Sequence, residues 1–214
     1  MADTWNHRIQ HFKADGTFIK SWGAQGDTSG KAVGSEGLFY GPRGIAVDAN
    51  GRVLVADTGN KRVQVFDKDG QFITQMGGGG LDQGRFDEPV GVAVDAKGNI
   101  IIADTWNGRV QVLDSTGVPL AAWDIDGWLE KDLVGKPYLA VDAQSRVYVA
   151  DGVSQRVLIF DETGKYLGGF GQYGTDNHGF TTPGGIAVDK DGFVYVVDTG
   201  SGRVLKFPPF DTQK

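Results

Sequence analysis

An all-β chain of radially repeated four-stranded antiparallel sheets is predicted by three features of these 214 residues. The first is a motif, Ala-Asp-Thr-x-Asn-x-Arg-Val/Ile, recurring at a nearly fixed step. It reads ADTWNHRI at Ala2–Ile9, ADTGNKRV at Ala56–Val63 and ADTWNGRV at Ala103–Val110. Looser copies follow as ADGVSQRV at Ala150–Val157 and VDTGSGRV at Val197–Val204. The motif aspartates Asp3, Asp57, Asp104, Asp151 and Asp198 lie 54, 47, 47 and 47 residues apart. The second feature is the placement of the 34 glycines, largely at turns between short apolar runs. The third is that no segment carries a convincing helical period. A step in the forties with short strands inside each unit is the signature of a β-propeller.

The second unit shows each element. Gly44–Asp48 is a short apolar strand of small residues suited to the crowded inner rim of a blade. Asn50-Gly51 turns the chain, glycine supplying φ > 0. Val53–Ala56 is a near-continuous apolar run, as expected of a strand buried on both faces. Thr58–Lys61 turns again, Arg62–Phe66 alternates, and Phe72–Met76 forms the outermost strand after Lys68-Asp69-Gly70. The inner strand recurs at Gly91–Asp95, Leu139–Asp142 and Gly185–Asp189. In the fourth unit its turn is Gln144-Ser145, where serine must accept a positive φ at some cost.

Pro42, Pro89, Pro137 and Pro183 precede the inner strands, and proline suits the first residue of a strand. Three residues earlier stand Phe39, Phe86, Val134 and Phe180, which are expected to plug the gap between blades. The blades therefore fall at residues 42–77, 89–124 and 137–171, with a partial blade at 1–23 and an incomplete one at 183–210. The first copy offers only the strands Arg8–Phe12 and Phe18–Trp22. In the last, Phe207-Pro208-Pro209-Phe210 stops a fourth strand in register. The expected total is seventeen strands, or four blades and one strand.

These residues resemble the NHL-repeat β-propeller family. The pattern PxGIAVDxxGxVYVADTxNxRVQVFDxxGxF is best matched at Pro42–Phe72, and its copies cover almost the whole chain. The resemblance implies a single propeller domain over residues 1–214, with six blades in the intact ring, so that this chain reads as part of one. It also implies ligand or partner binding as the commonest role, since one scaffold carries many activities. Similar propellers include substrate-recruiting domains of ubiquitin ligases, sensor domains of bacterial kinases and tails of bacterial membrane proteins. A few are metal-dependent lyases or lactonases.

Composition narrows the partners. The net charge is −6, which disfavours nucleic acid, whose affinity rests on Lys and Arg neutralising phosphates. No basic run suits an anionic membrane, and no stretch nears the ~20 apolar residues of a membrane helix. Cysteine is absent, which excludes disulfides and leaves the compartment open, with a lean towards an extracytoplasmic or membrane-associated setting. The opening MADTWNHRIQ does not read as a signal peptide. It begins within a repeat, which fits a piece of a larger, membrane-anchored protein.

Candidate sites divide in two. The pairs Asp3/Arg8, Asp57/Arg62, Asp104/Arg109, Asp151/Arg156 and Asp198/Arg203 recur in every copy. Recurrence favours a structural ion pair with turn capping over a ring of anion-binding arginines. The variable blade-to-blade loops and the motif turns share one face, where binding residues concentrate on a rigid scaffold. They carry Trp5, Tyr40, Arg85, Trp106, Trp128, Lys131, Tyr138, Tyr173 and His178. Aromatic residues and arginine are preferred anchors, so a protein, peptide or glycan is the expected ligand. His7, His11 and His178 are scattered, and the turn acids support calcium only weakly. A lyase or lactonase would draw on Asp48, Asp95, Asp142 and Asp189 at the ends of the inner strands. No catalytic cluster and no resident cofactor is expected.

Overall fold

A computed structural model describes residues 1–28, 35–128 and 137–212. Five antiparallel sheets follow one another along the chain, each with its strands in sequence order. Blade one holds Ala2–Asp3, Arg8–Phe12 and Phe18–Trp22. Blade two holds Pro42–Val47, Val53–Asp57, Arg62–Phe66 and Phe72–Gly77. Blade three holds Pro89–Val94, Ile100–Asp104, Arg109–Leu113 and Pro119–Asp124. Blade four holds Leu139–Val141, Val147–Asp151, Arg156–Phe160 and Tyr166–Phe170. Blade five ends at three strands, Pro183–Val188, Val194–Asp198 and Arg203–Phe207, followed by a 3-10 turn at Phe210–Thr212. The only helical elements among the described residues are three-residue 3-10 turns.

Two expectations need correction. Blade one has three strands, because Ala2–Asp3 pairs with Ile9 and Arg8 in the register of the other motif strands. Two residues were too few to register as a strand in the sequence. In blade four the inner strand starts at Leu139, as expected, whereas in blades two, three and five it starts at the proline, two residues ahead of the expected glycine. Ser145 takes the expected left-handed conformation, φ 61°. Val134 lies outside the described residues.

Each strand faces two neighbours. In blade two, Leu54, Ala56, Val63 and Val65 pack against Phe86, Val92, Ile100, Ile102 and Leu113 of the next blade. Val53, Val55 and Phe66 pack the other way, against Ile9 of blade one. The same division builds the contacts of blade three with four and of four with five. The second strands of blades two, three and four are therefore buried on both faces and read as unbroken apolar runs. Phe39, Phe86 and Phe180 are fully buried in these seams. They lie over Gly23, Gly77 and Gly171, where a Cβ would strike the ring within 2.6 Å.

The inner-strand aspartates are turn caps. Asp48 Oδ1 accepts the amides of Asn50 and Arg52, and Asp95, Asp142 and Asp189 repeat the arrangement. Asp67, Asp114 and Asp161 do the same at the outer turns. Short acidic side chains bonding two and four residues ahead are what hold such turns.

Candidate functional site

The motif Asp/Arg pair is placed by antiparallel register: the two residues face each other across the second and third strands in blades one to five. In blade two, Asp57 Oδ2 accepts from Arg62 Nε at 2.9 Å, Asn60 Nδ2 at 2.9 Å and Gln64 Nε2 at 3.0 Å. Its Oδ1 accepts the Tyr40 amide at 2.8 Å. Arg62 then reaches the blade-to-blade loop, donating to the carbonyls of Ser35 and Leu38. In blade three, Arg109 donates to the carbonyls of Asp82 and Arg85, while Asp104 accepts the Asp87 amide. In blade five, Arg203 donates to Thr175 and Gly179, and Asp198 accepts the amides of Thr181 and Thr182. The pair is thus a clamp that fixes the loop entering its own blade. Among the described residues, the carboxylates of Asp57, Asp104 and Asp198 hold that loop rather than the backbone of their own turn.

In blade four most of the entering loop lies outside the described residues. Among the described residues Arg156 is exposed, and Asp151 accepts from the Ser154 hydroxyl and the amides of Val153 and Ser154. Glycine at 127 is obligatory there, since a Cβ would meet the Asp151 carboxylate at 2.3 Å.

Burial raises the Asp57 carboxyl above the ordinary range, against the opposing Tyr40 amide, Asn60 and Arg62. For Asp198 burial also pushes upward, but the Thr182 amide and the Ser201 and Thr181 groups outweigh it and hold it below that range.

The loop face carries most of the predicted aromatic residues. Trp5 is 85% exposed and Trp106 42% exposed, both on motif turns. Tyr40, Arg85, Tyr173 and His178 are exposed on loops, and Tyr138 is half-buried. Arg85 donates to the Gly77 carbonyl. Trp128 is a correction: it is 1% exposed, inside the core between blades three and four, because a 3-10 turn at Asp126–Trp128 folds its ring inward. Lys131 lies outside the described residues.

Between blades one and two these elements enclose a cleft of about 460 Å³, lined by Thr4, Trp5, His7, Gln25, Tyr40, Gly41, Arg43, Thr58, Gly59 and Glu88. The Tyr40 and His7 rings stack at 5.7 Å with planes 3° apart, and His7 Nδ1 accepts the Gly41 amide. Tyr40 lies against Gly59, where a Cβ would meet its ring at 2.2 Å. The tryptophan-to-glycine change between the first and second motif turns therefore makes room for the tyrosine. Arg43 and Glu88 went unnoticed in the sequence. Both flank the prolines, and Glu88 takes a left-handed conformation, φ 44°, directly before Pro89. That strain was the signal available only in three dimensions. Among the described residues no three His, Asp or Glu side chains gather as a metal site would require.

Repeated blades with a clamped loop face define a β-propeller of the repeat-protein class. Comparison with known proteins finds a known repeat in it. The NHL repeat model matches residues 39–66, 86–113 and 180–207, the stretches of blades two, three and five. Similar proteins include Protein lin-41 of Caenorhabditis elegans, 54% identical over 48 residues, which cover 22% of this chain and 4% of that protein. Protein brain tumor of Drosophila melanogaster is 52% identical over 42 residues, covering 20% and 4%. NHL repeat-containing protein 3 of Homo sapiens is 61% identical over 31 residues, covering 14% and 9%. In the three stretches that the repeat model matches, the chain carries NHL repeats. Among solved structures, a streptogramin B lyase aligns with TM-score 0.63 and 15% identity, covering 97% of this chain and 63% of that one. Virginiamycin B lyase from Staphylococcus aureus aligns with TM-score 0.62 and 12% identity, covering 96% and 64%. At such identity the likeness shows the fold. The matches span under a tenth of these curated relatives and under two thirds of the lyase chains.

Proposed function

We propose that this chain is a non-catalytic binding module that takes a protein partner on its loop face, with the cleft between blades one and two as the anchor point. The observation that carries this reading is the cleft itself. It is about 460 Å³, within the range of small-ligand and peptide-anchor pockets. An exposed Trp5 and the Tyr40 ring flank it, and Arg43 and Glu88, of opposite charge, are among its lining residues. Aromatic side chains bind at low entropic cost, and a nearby charge pair gives register. The backbone around the cleft is held by the Asp57/Arg62 clamp, so little ordering remains for binding to oppose. Trp106 extends the same face over blade three. The NHL repeats it carries support a partner-binding role. A peptide is the favoured form of the ligand, and a glycan is an outcome of the test.

The test is selection of a displayed random peptide library, and in parallel a glycan array, on the folded chain. Peptides enriched on the chain should lose binding to the Trp5→Ala and Arg43→Ala variants, while Lys97→Ala on the opposite turns keeps it. Peptides indifferent to Trp5 and Arg43, or none enriched, would reject the assignment; glycan hits alone would replace the ligand class.

A further inference from the structure

Two of the six asparagines, Asn50 and Asn107, precede a glycine. Such a pair is chemically labile. Glycine carries no side chain, so its amide nitrogen can swing onto the side-chain carbonyl of the asparagine before it. After the other four stand His7, Lys61, Ile100 and His178, whose side chains crowd that approach. Both labile pairs are followed by arginine, Arg52 and Arg109. Their local sequences are thus closely alike, and the fold gives them opposite surroundings.

Asn50 lies in the turn between Pro42–Val47 and Val53–Asp57 of blade two, on the face opposite the loops. It is exposed, and among the described residues its side-chain amide has no hydrogen-bond partner. The Gly51 N–H donates to the Asp48 carbonyl at 3.0 Å. No heavy atom lies within 4 Å of where a Cβ would stand on Gly51. Once that one bond opens, the nitrogen is free to turn towards Asn50, and exposed turns open at small cost. Asn107 is the contrary case. Its Nδ2 donates to Asp104 Oδ1 at 3.1 Å, to Asp104 Oδ2 at 2.9 Å and to the Gly80 carbonyl at 2.9 Å. Gly108 is buried, and its N–H donates to the Thr105 carbonyl at 3.0 Å. There the clamp holds both the leaving group and the nucleophile.

The other blades show what the Asn50 position accepts. Lys97, Gln144 and Asp191 stand there, in turns capped alike by Asp95, Asp142 and Asp189. Aspartate keeps the turn: the Asp191 amide donates to Asp189 Oδ1 at 3.0 Å, and Gly192 has φ 84° beside 77° at Gly51. Isoaspartate would not keep it. It carries the main chain through the side chain and adds a methylene, whereas the present spacing lets Asp48 Oδ1 accept both the Asn50 and the Arg52 amide.

We infer that Asn50 is a site of spontaneous deamidation, and that the fold shields Asn107 from the same reaction. The Gly51 nitrogen bonds to the side-chain carbonyl carbon of Asn50. The carbon–nitrogen bond of the side-chain amide breaks, and its nitrogen leaves as ammonia, carrying the proton lost by Gly51. Water then opens the cyclic imide at either carbonyl, giving aspartate or isoaspartate. Both products place a new negative charge on this face. The inference is independent of the cleft above, which neither residue lines.

The test is incubation of the folded chain at mildly alkaline pH, followed by peptide mass mapping. The peptide holding Asn50 should take the mass of amide-to-acid conversion and separate into aspartate and isoaspartate forms. The peptide holding Asn107 should convert about tenfold or more slowly, because its open form is rarer. In urea the two should convert at nearly the same rate. Asn50→Gln, the residue of blade four, should abolish the conversion at that peptide and leave the fold intact. Native Asn50 reacting no faster than native Asn107, or not reacting at all, would overturn the inference, as would a conversion that persists in Asn50→Gln.

Discussion

Blades three and five use nearly the same third strand, RVQVL and RVLKF, yet one is sealed and the other open. Val110 is 0% exposed and its counterpart Val204 is 63% exposed. Ala103 is buried where Val197 is exposed. The sequences are interchangeable in pattern; what differs is whether another blade follows among the described residues. A repeat unit cannot bury its second face alone, so its stability is a property of the seam and not of the unit. The charged network follows the same rule. Asp57 and Arg62 are both almost fully buried, whereas the Arg203 side chain keeps contact with water beside a buried Asp198.

The largest test of this comparison is removal of the clamp. Arg62→Ala leaves the Asp57 carboxylate buried without its main partner and is expected to cost about 3–5 kcal/mol. Arg203→Ala should cost clearly less, as the Arg203 side chain is already partly in water. Urea unfolding of both variants decides it, and equal losses would mean that the seam does not govern the clamp. Next comes Trp128. Trp128→Ala should cost about 3–5 kcal/mol through the cavity it leaves. Trp128→Phe should be far milder, since the buried indole N–H has no hydrogen-bond partner among the described residues. Thermal denaturation with both variants separates packing from polarity.

A smaller difference is expected at the apolar positions. Val110→Ala should cost about 1–2 kcal/mol from lost burial, while Val204→Ala should stay within about 0.5 kcal/mol. Equal losses would show that the outer face of blade five is covered in solution. The finest contrast is in acid. Asp198 titrates below its unfolded value, so its contribution to stability is present above about pH 4 and is lost as pH falls through the folded value. Asp57 titrates above its unfolded value, so the native state takes up that proton first and is favoured as pH falls through the folded value. NMR titration of the carboxyl carbons should therefore find Asp57 above and Asp198 below the ordinary range. Asp198→Asn should flatten the acid loss of stability.

The blades were legible because period, proline and glycine-turn signals all repeat, so that each copy corroborates the others. Ala2–Asp3 escaped notice because two residues carry no alternation to detect. The Asp/Arg pairing was readable as a hairpin contact five residues long. Its reach to Ser35, Asp82 and Thr175 was not, since those carbonyls lie 27 or 28 residues away and carbonyls have no sequence signature. Among the loop aromatics, Trp5 and Trp106 could be placed because the turn around them recurs. Trp128 could not, because a loop of unique sequence gives no repeat against which to judge which way its ring points. Tyr40 needed Gly59, and that dependence appears only once the two loops are brought together.

The arginine clamp separates two things that loops usually mix. It grips peptide carbonyls, and every residue type supplies those alike. The clamp's grip is therefore largely independent of the loop's side chains, the Ser35 hydroxyl being an exception. Substitutions at Tyr40 or Tyr173 can alter what the face recognises while the backbone beneath keeps its course. A lineage carrying this frame can change partners by exchanging letters in the loops, with the rest of the ring unaware of the change.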